Sequence, residues 1–173
     1  RRRHSFPTRR SSDLVVAGIL NAGESARFPK NLVRGSHIAN SAEVYYNLYT
    51  RYQTQFILFG TPTQNHTLED LKRMFLNEIG RLKNEPISES ELERVKTQII
   101  AQKTFEKDSI FSQAMEIGLL ETIGLPAEKL ENYAAQIKSI TAKQIQAVTK
   151  QYFQDTAITE ARLYPTSPQG AHQ

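Results

Sequence analysis

Three times in this 173-residue chain, a Ser or Thr stands three residues ahead of an acidic or amide residue where an apolar run of helical period begins. The pairs are Thr67/Asp70, Ser88/Glu91 and Thr141/Gln144. Such a pair satisfies the orphan N–H groups at a helix start, so each marks a helix N-terminus. After the first, Leu68, Leu71, Phe75, Ile79 and Leu82 recur at three and four, which is one helical face. After the second, Leu92, Val95, Ile99 and Gln102 give the buried stripe, and the helix is expected to run on to Gly124 with a kink near Asp108 and Ser109. LPAEKLENYAAQIKSI reads as a further helix with Pro126 in its first turn, and AKQIQAVTKQYF as the helix capped by Thr141.

Ahead of these helices the pattern is different. Val15 to Leu20 reads as the last turns of a buried helix, with Gly23 near its C-cap. SARFPKNLVRG reads as a short amphipathic helix, from Ser25 as N-cap to Gly35 as stop. The stretches Ile38–Thr50 and Gln53–Thr61 are rich in β-branched and aromatic residues and read as an antiparallel hairpin. Near the end, TAITEARLYP alternates and reads as a last strand, followed by a tail over 166–173. The fold class is therefore α+β, an antiparallel sheet with helices packed on one face.

The formal charge of +4 points toward nucleic acid, but it is local. Residues 1–14 hold five Arg against Asp13, which leaves 17 basic and 17 acidic residues elsewhere (22 less five, 18 less one). A nucleic-acid arm, a transit peptide or a signal n-region could carry such charge. LVVAGIL is too short and lacks an Ala-x-Ala exit for the last of these. A fourth reading fits His4–Leu14 better. HSFPTRRSSDL resembles the translation of a common short-read sequencing adapter throughout, in one frame. Residues 1–14 are then an adapter-derived, disordered artefact, and the domain runs from 15 to 165, cut at its N-terminal side. Loss of upstream neighbours would expose Val15, Val16 and Ile19. No apolar run approaches the ~20 residues of a membrane span. With no Cys, disulfides and thiolate metal sites are excluded.

The residues offer no complete catalytic set. The four histidines, His4, His37, His66 and His172, include no pair at helical spacing. His66-Thr-Leu-Glu69-Asp70 has the outline of His-x-x-Glu-His with Asp for the second His. Its carboxylates read more simply as favouring the positive end of a helix. Ser25 lacks a G-x-S-x-G context, GESAR lacks a phosphate-binding pattern, and the acids of SESELE read as a solvated helix start. Tyr45, Tyr46, Tyr49, Tyr52, Phe56 and Phe59 lack interleaved cations beyond Arg51, so they read as cross-strand packing and not as a base-stacking platform.

A likeness emerges from the order of several weak motifs. ILNAGESARFPKNLV, IANSAEVYY, ISESELERVKTQIIAQ, ITAKQIQAVTKQYF and the closing ARLYP together resemble the C-terminal half of insulinase/pitrilysin-type zinc metallopeptidases. The likeness spans roughly 15–165. KDSIFSQAMEIGLLETIGL is similar to the bacterial two-subunit branch. The resemblance implies half of a metallopeptidase clamshell module, walling a peptide chamber. It implies zinc in the missing N-terminal half and none here, peptide substrates, and a homologous subunit as heterodimer partner. It implies a periplasmic or cell-envelope location in a bacterium, with neither nucleic acid nor a membrane span involved. Members often carry an Arg and, seven residues on, a Tyr that hold the substrate. Those positions fall on Val33 and Asn40, or on Arg34 and Ser41 one residue later, so neither register keeps the pair. The expected role is a non-catalytic C-terminal domain of a zinc metalloendopeptidase. The alternative is a zinc-less structural subunit of a peptidase-like processing complex.

Overall fold

The computed structural model describes residues 6–164. Helix α1 (Phe6–Asn21) leads into a π-helical segment (Phe28–Gly35), then strands β1 (Ala39–Tyr46) and β2 (Phe56–Pro62). Helices α2 (Leu68–Asn84), α3 (Glu89–Glu106), α4 (Ile110–Thr122), α5 (Tyr133–Lys138) and α6 (Ala142–Tyr152) follow, with short 3-10 turns at Ala127–Leu130 and Asp155–Ala157. Among the described residues the sheet is the antiparallel pair β1–β2. The helices cover one of its faces, α1 lying on β1 and α2 on β2. The α+β arrangement is as the sequence implied.

α1 is the centre of the core. Val15, Val16, Ile19 and Leu20 are fully buried, and the helix packs on β1, α3, α5 and α6. The expected exposure of Val15, Val16 and Ile19 is therefore wrong, because the chain's own later helices close over them. The adapter-like stretch also departs from expectation. From Phe6 to Leu14 it is the first part of α1, with Ser11, Ser12 and Asp13 buried. Arg10 donates from Nη1 to the carbonyls of Leu48 (3.3 Å) and Thr50 (2.9 Å), and from Nη2 to that of Tyr52 (2.8 Å). Helical neighbours and these carbonyls order a stretch that has no helical period of its own. His4, His172 and the tail lie outside the described residues.

The caps form where the sequence places them. Thr67/Asp70 and Thr141/Gln144 are full reciprocal boxes. Ser88 accepts from the Glu91 N–H, but the Glu91 carboxylate goes instead to Arg27. Three elements differ from expectation. The long helix breaks outright: α3 ends at Glu106, and Ser109 caps a new helix by accepting from the Ser112 N–H. α4 ends at Gly124 (φ +76), where Leu125 N–H donates to Leu120 O and Gly124 N–H to Glu121 O, the paired bonds of a Schellman turn. Pro126 opens a 3-10 turn, and only Tyr133–Lys138 of the next stretch is α-helical. Residues 158–164 form no strand. Alternation makes a strand only beside a neighbour that takes its backbone hydrogen bonds. Here ion pairs Lys72–Glu160 (2.8 Å) and Arg162–Glu69 (2.6 Å) hold the segment against α2.

A buried ionic cluster ties the π-helical segment to α2 and α3. Arg27 pairs bidentately with Glu91, at 2.9 and 3.0 Å, and lies 3.9 Å from Glu78. Glu78, whose side chain is 4% exposed, also accepts from Asn31 (2.8 Å) and pairs with Arg81 (3.3 Å). Burial raises the Glu91 pKa, but the Arg27 hydrogen bond and charge outweigh it and hold the carboxyl below its ordinary value.

Two expectations follow for stability. Arg27→Met should cost about 2–3 kcal/mol in urea unfolding, less than the ~3–5 of a fully broken buried pair, since Asn31 and Arg81 still hold Glu78. Adding Glu78→Gln to it should recover part of that loss in a double-mutant cycle. Because the folded-state Glu91 pKa is lowered, its contribution is complete above the ordinary 4.5 and is lost as pH falls through the folded value. Glu91→Gln should flatten that part of the pH–stability curve. Separately, a Cβ on Gly60 would stand 2.4 Å from Ser41 O and 3.2 Å from the Phe75 ring. Gly60→Ala should lower stability by about 1–3 kcal/mol, read as a lower urea midpoint.

Candidate functional site

The first region to place is the loop into β1. Val33 sits on the π-helical segment, half-buried against the core. It has no donor. Arg34 is exposed and pairs with Glu24 at 3.0 Å. Asn40 is exposed at the irregularity where the register shifts between Ala39 and Ser41. Its Nδ2 donates to Pro62 O at 3.2 Å. Pro62 has no N–H for the ladder, so a side chain completes the pairing there. Ser41 is half-buried, facing Thr61 in the register. The structure thus brings no charged or phenolic donor pair together at these positions. His66 is half-buried, Asp70 is occupied as the cap of α2, and Glu69 pairs with Arg162. Among the described residues no three His, Asp or Glu side chains are grouped to hold a metal ion.

The second region is a cavity of about 730 Å³ between the end of β1, the C-terminal end of α1 and the face of α3. Its volume lies within the range of small-ligand sites. β1 and the residues after it supply Tyr45, Tyr46, Asn47 and Tyr49. α3 supplies Gln98, Gln102, Lys103 and Glu106, a face set by spacings of four. Glu116 comes from α4 and Tyr133 from α5. Lys103 Nζ pairs with Glu106 (3.1 Å) and with Glu116, and lies 5.8 Å from the centre of the Tyr133 ring. Burial, and then the Glu116 charge, push Tyr49 up to about 12. Burial first, with Tyr49, Glu106 and Glu116 behind it, raises Tyr133 as well. Both phenols therefore stay neutral in the physiological range. The sequence reading takes these tyrosines as strand packing, which holds for Tyr46 against Phe56 (ring centres 5.8 Å apart). It misses the cavity. The available signal was the polar stripe Gln98, Gln102 and Glu106 on a helix whose other face is apolar.

A family model described as the peptidase M16 inactive domain matches residues 8–99, more than half of the chain. The chain belongs to that family. This is the insulinase-type C-terminal half that the ordered motifs implied. Solved structures share the M16 inactive-domain fold. The inactive peptidase domain of a protein assigned as a zinc protease from Bordetella parapertussis matches at a TM-score of 0.78 and 15% identity, covering 94% of this chain and 87% of that one. A protein assigned as a zinc protease from Bordetella pertussis Tohama I matches at 0.75 and 18%, covering 92% and 86%. A protease from Helicobacter pylori matches at 0.75 and 18%, covering 90% of this chain but 36% of its own. The chain thus spans about a third of the Helicobacter protease. No curated protein matches the chain by sequence.

Proposed function

We propose that this M16 inactive domain is the non-catalytic wall of a peptide chamber in a zinc metalloendopeptidase. The observation that carries the reading is the match to an inactive-domain model over residues 8–99, in a chain that spans about a third of the Helicobacter protease. The hairpin suits the role. Helices cover one face of it, while Tyr45, Ile57 and Phe59 are exposed on the other. That uncovered apolar face lies toward the chamber and contacts extended peptide. The chain's residues supply shape and water exclusion, not bond chemistry.

The zinc, its His-x-x-Glu-His helix and the water-activating Glu belong to sequence upstream of this domain. A homologous subunit completes the chamber, and the resemblance places the parent in a bacterial periplasm or cell envelope. A zinc-less structural subunit of the same fold is the second reading, favoured by the loss of the Arg/Tyr pair at Val33 and Asn40.

Residues 1–173 alone should hydrolyse no peptide and retain less than a tenth of an equivalent of zinc after dialysis. One equivalent of zinc, lost on His66→Ala, would overturn this. Long-read sequencing of the source DNA across codon 15 then separates the two readings. A frame continuing upstream through His-x-x-Glu-His supports the peptidase, and one without it supports the structural subunit. A start codon directly ahead of HSFPTRRSSDL would remove the adapter reading.

A further inference from the structure

The tyrosine-walled cavity against α3 has no part in the chamber reading, and its lining is specific. Among the described residues that line it, Lys103 is the one cation against two carboxylates, Glu106 and Glu116. The surroundings of Lys103 show what the walls accept. Its ammonium is held by both carboxylates and sits over the face of Tyr133. Aromatic faces and carboxylates around a desolvated ammonium form the usual pairing for an organic cation. One lysine side chain fills a small part of about 730 Å³. Tyr45 and Tyr49 remain along the rest of the wall, with the one carboxylate charge that Lys103 does not balance. Asn47, Gln98 and Gln102 add amides that both donate and accept, which suits the peptide groups of a main chain.

We propose that this cavity binds the basic side chain of a peptide, with the ammonium or guanidinium against Glu116 and the tyrosine faces, in competition with Lys103. The proposal stands on the cavity's residues alone and does not need the zinc-peptidase reading.

The test uses the full 173-residue chain and amide NMR titration. The ligands are acetyl-Ala-Ala-Lys-Ala-Ala-amide, its norleucine analogue and free cadaverine. The lysine peptide should shift the amides of Tyr49, Gln102 and Tyr133, with the norleucine analogue at least tenfold weaker. Glu116→Gln should weaken the lysine peptide about fivefold or more. Lys103→Met, which removes the internal competitor and leaves both carboxylates free, should tighten it by a similar factor. A merely structural Lys103 would give no such gain. Equal binding of the lysine and norleucine peptides overturns the proposal. So does cadaverine binding without peptide binding, or Lys103→Met losing affinity while its melting curve stays that of the parent chain. If a variant unfolds, the lysine/norleucine comparison on the unaltered chain decides alone.

Discussion

The fold depends on how closely α1 approaches α3. At their crossing stands Gly18, where a Cβ would lie 2.8 Å from Val95 Cγ1 and 2.9 Å from Ile99 Cδ1. Only a residue without a side chain lets the two helices meet at this distance. Around it Val15, Val16, Ile19 and Leu20 are removed wholly from water, each worth roughly 1.5–3 kcal/mol of burial. α1 is thereby the common partner of β1, α3, α5 and α6. The same centrality makes its first turns odd. A core helix that opens on buried Ser11, Ser12 and Asp13 runs against the ordinary partition of polar groups. That mismatch falls within the stretch that resembles an adapter, and it supports reading those residues as foreign to the domain.

What could be read from the sequence was local. Thr67/Asp70 and Thr141/Gln144 close within four residues, so their caps were legible without a fold. The hairpin and the amphipathic faces of α2 and α6 follow from period alone. What could not be read depended on distant partners. Glu91 looked like a capping-box acid, yet Arg27, 64 positions earlier, takes its carboxylate. Ile158 to Tyr164 alternates like a strand, yet it is held to α2 by ion pairs and gains no sheet neighbour. The break at Ser109 was visible as a kink but not as an end, because Ser109 caps as readily as it bends.

The site divides along the same line. The absence of an Arg/Tyr pair at Val33 and Asn40 was legible, since it needs only identities in order. The cavity was not. Tyr49, Lys103, Glu116 and Tyr133 come from four separate elements and share no motif. Tertiary packing alone makes them neighbours, and their chemistry exists only when they meet.

The cavity also bears on the least anchored element. α4 is apolar around most of its surface, yet Ile110 is 85% exposed and Phe111 74%. Its buried hydrophobic residue is Leu120, and it packs chiefly on the 3-10 turn that follows it. A helix of this composition ordinarily lies inside a core. Here a single ion pair, Lys103 to Glu116, joins it to α3 across the cavity. A cation that displaces Lys103 from Glu116 would replace an intramolecular tie by one through the ligand. Occupancy of the cavity and the position of α4 are then coupled by one carboxylate, and by linkage whatever steadies α4 must change the cavity's affinity to the same degree.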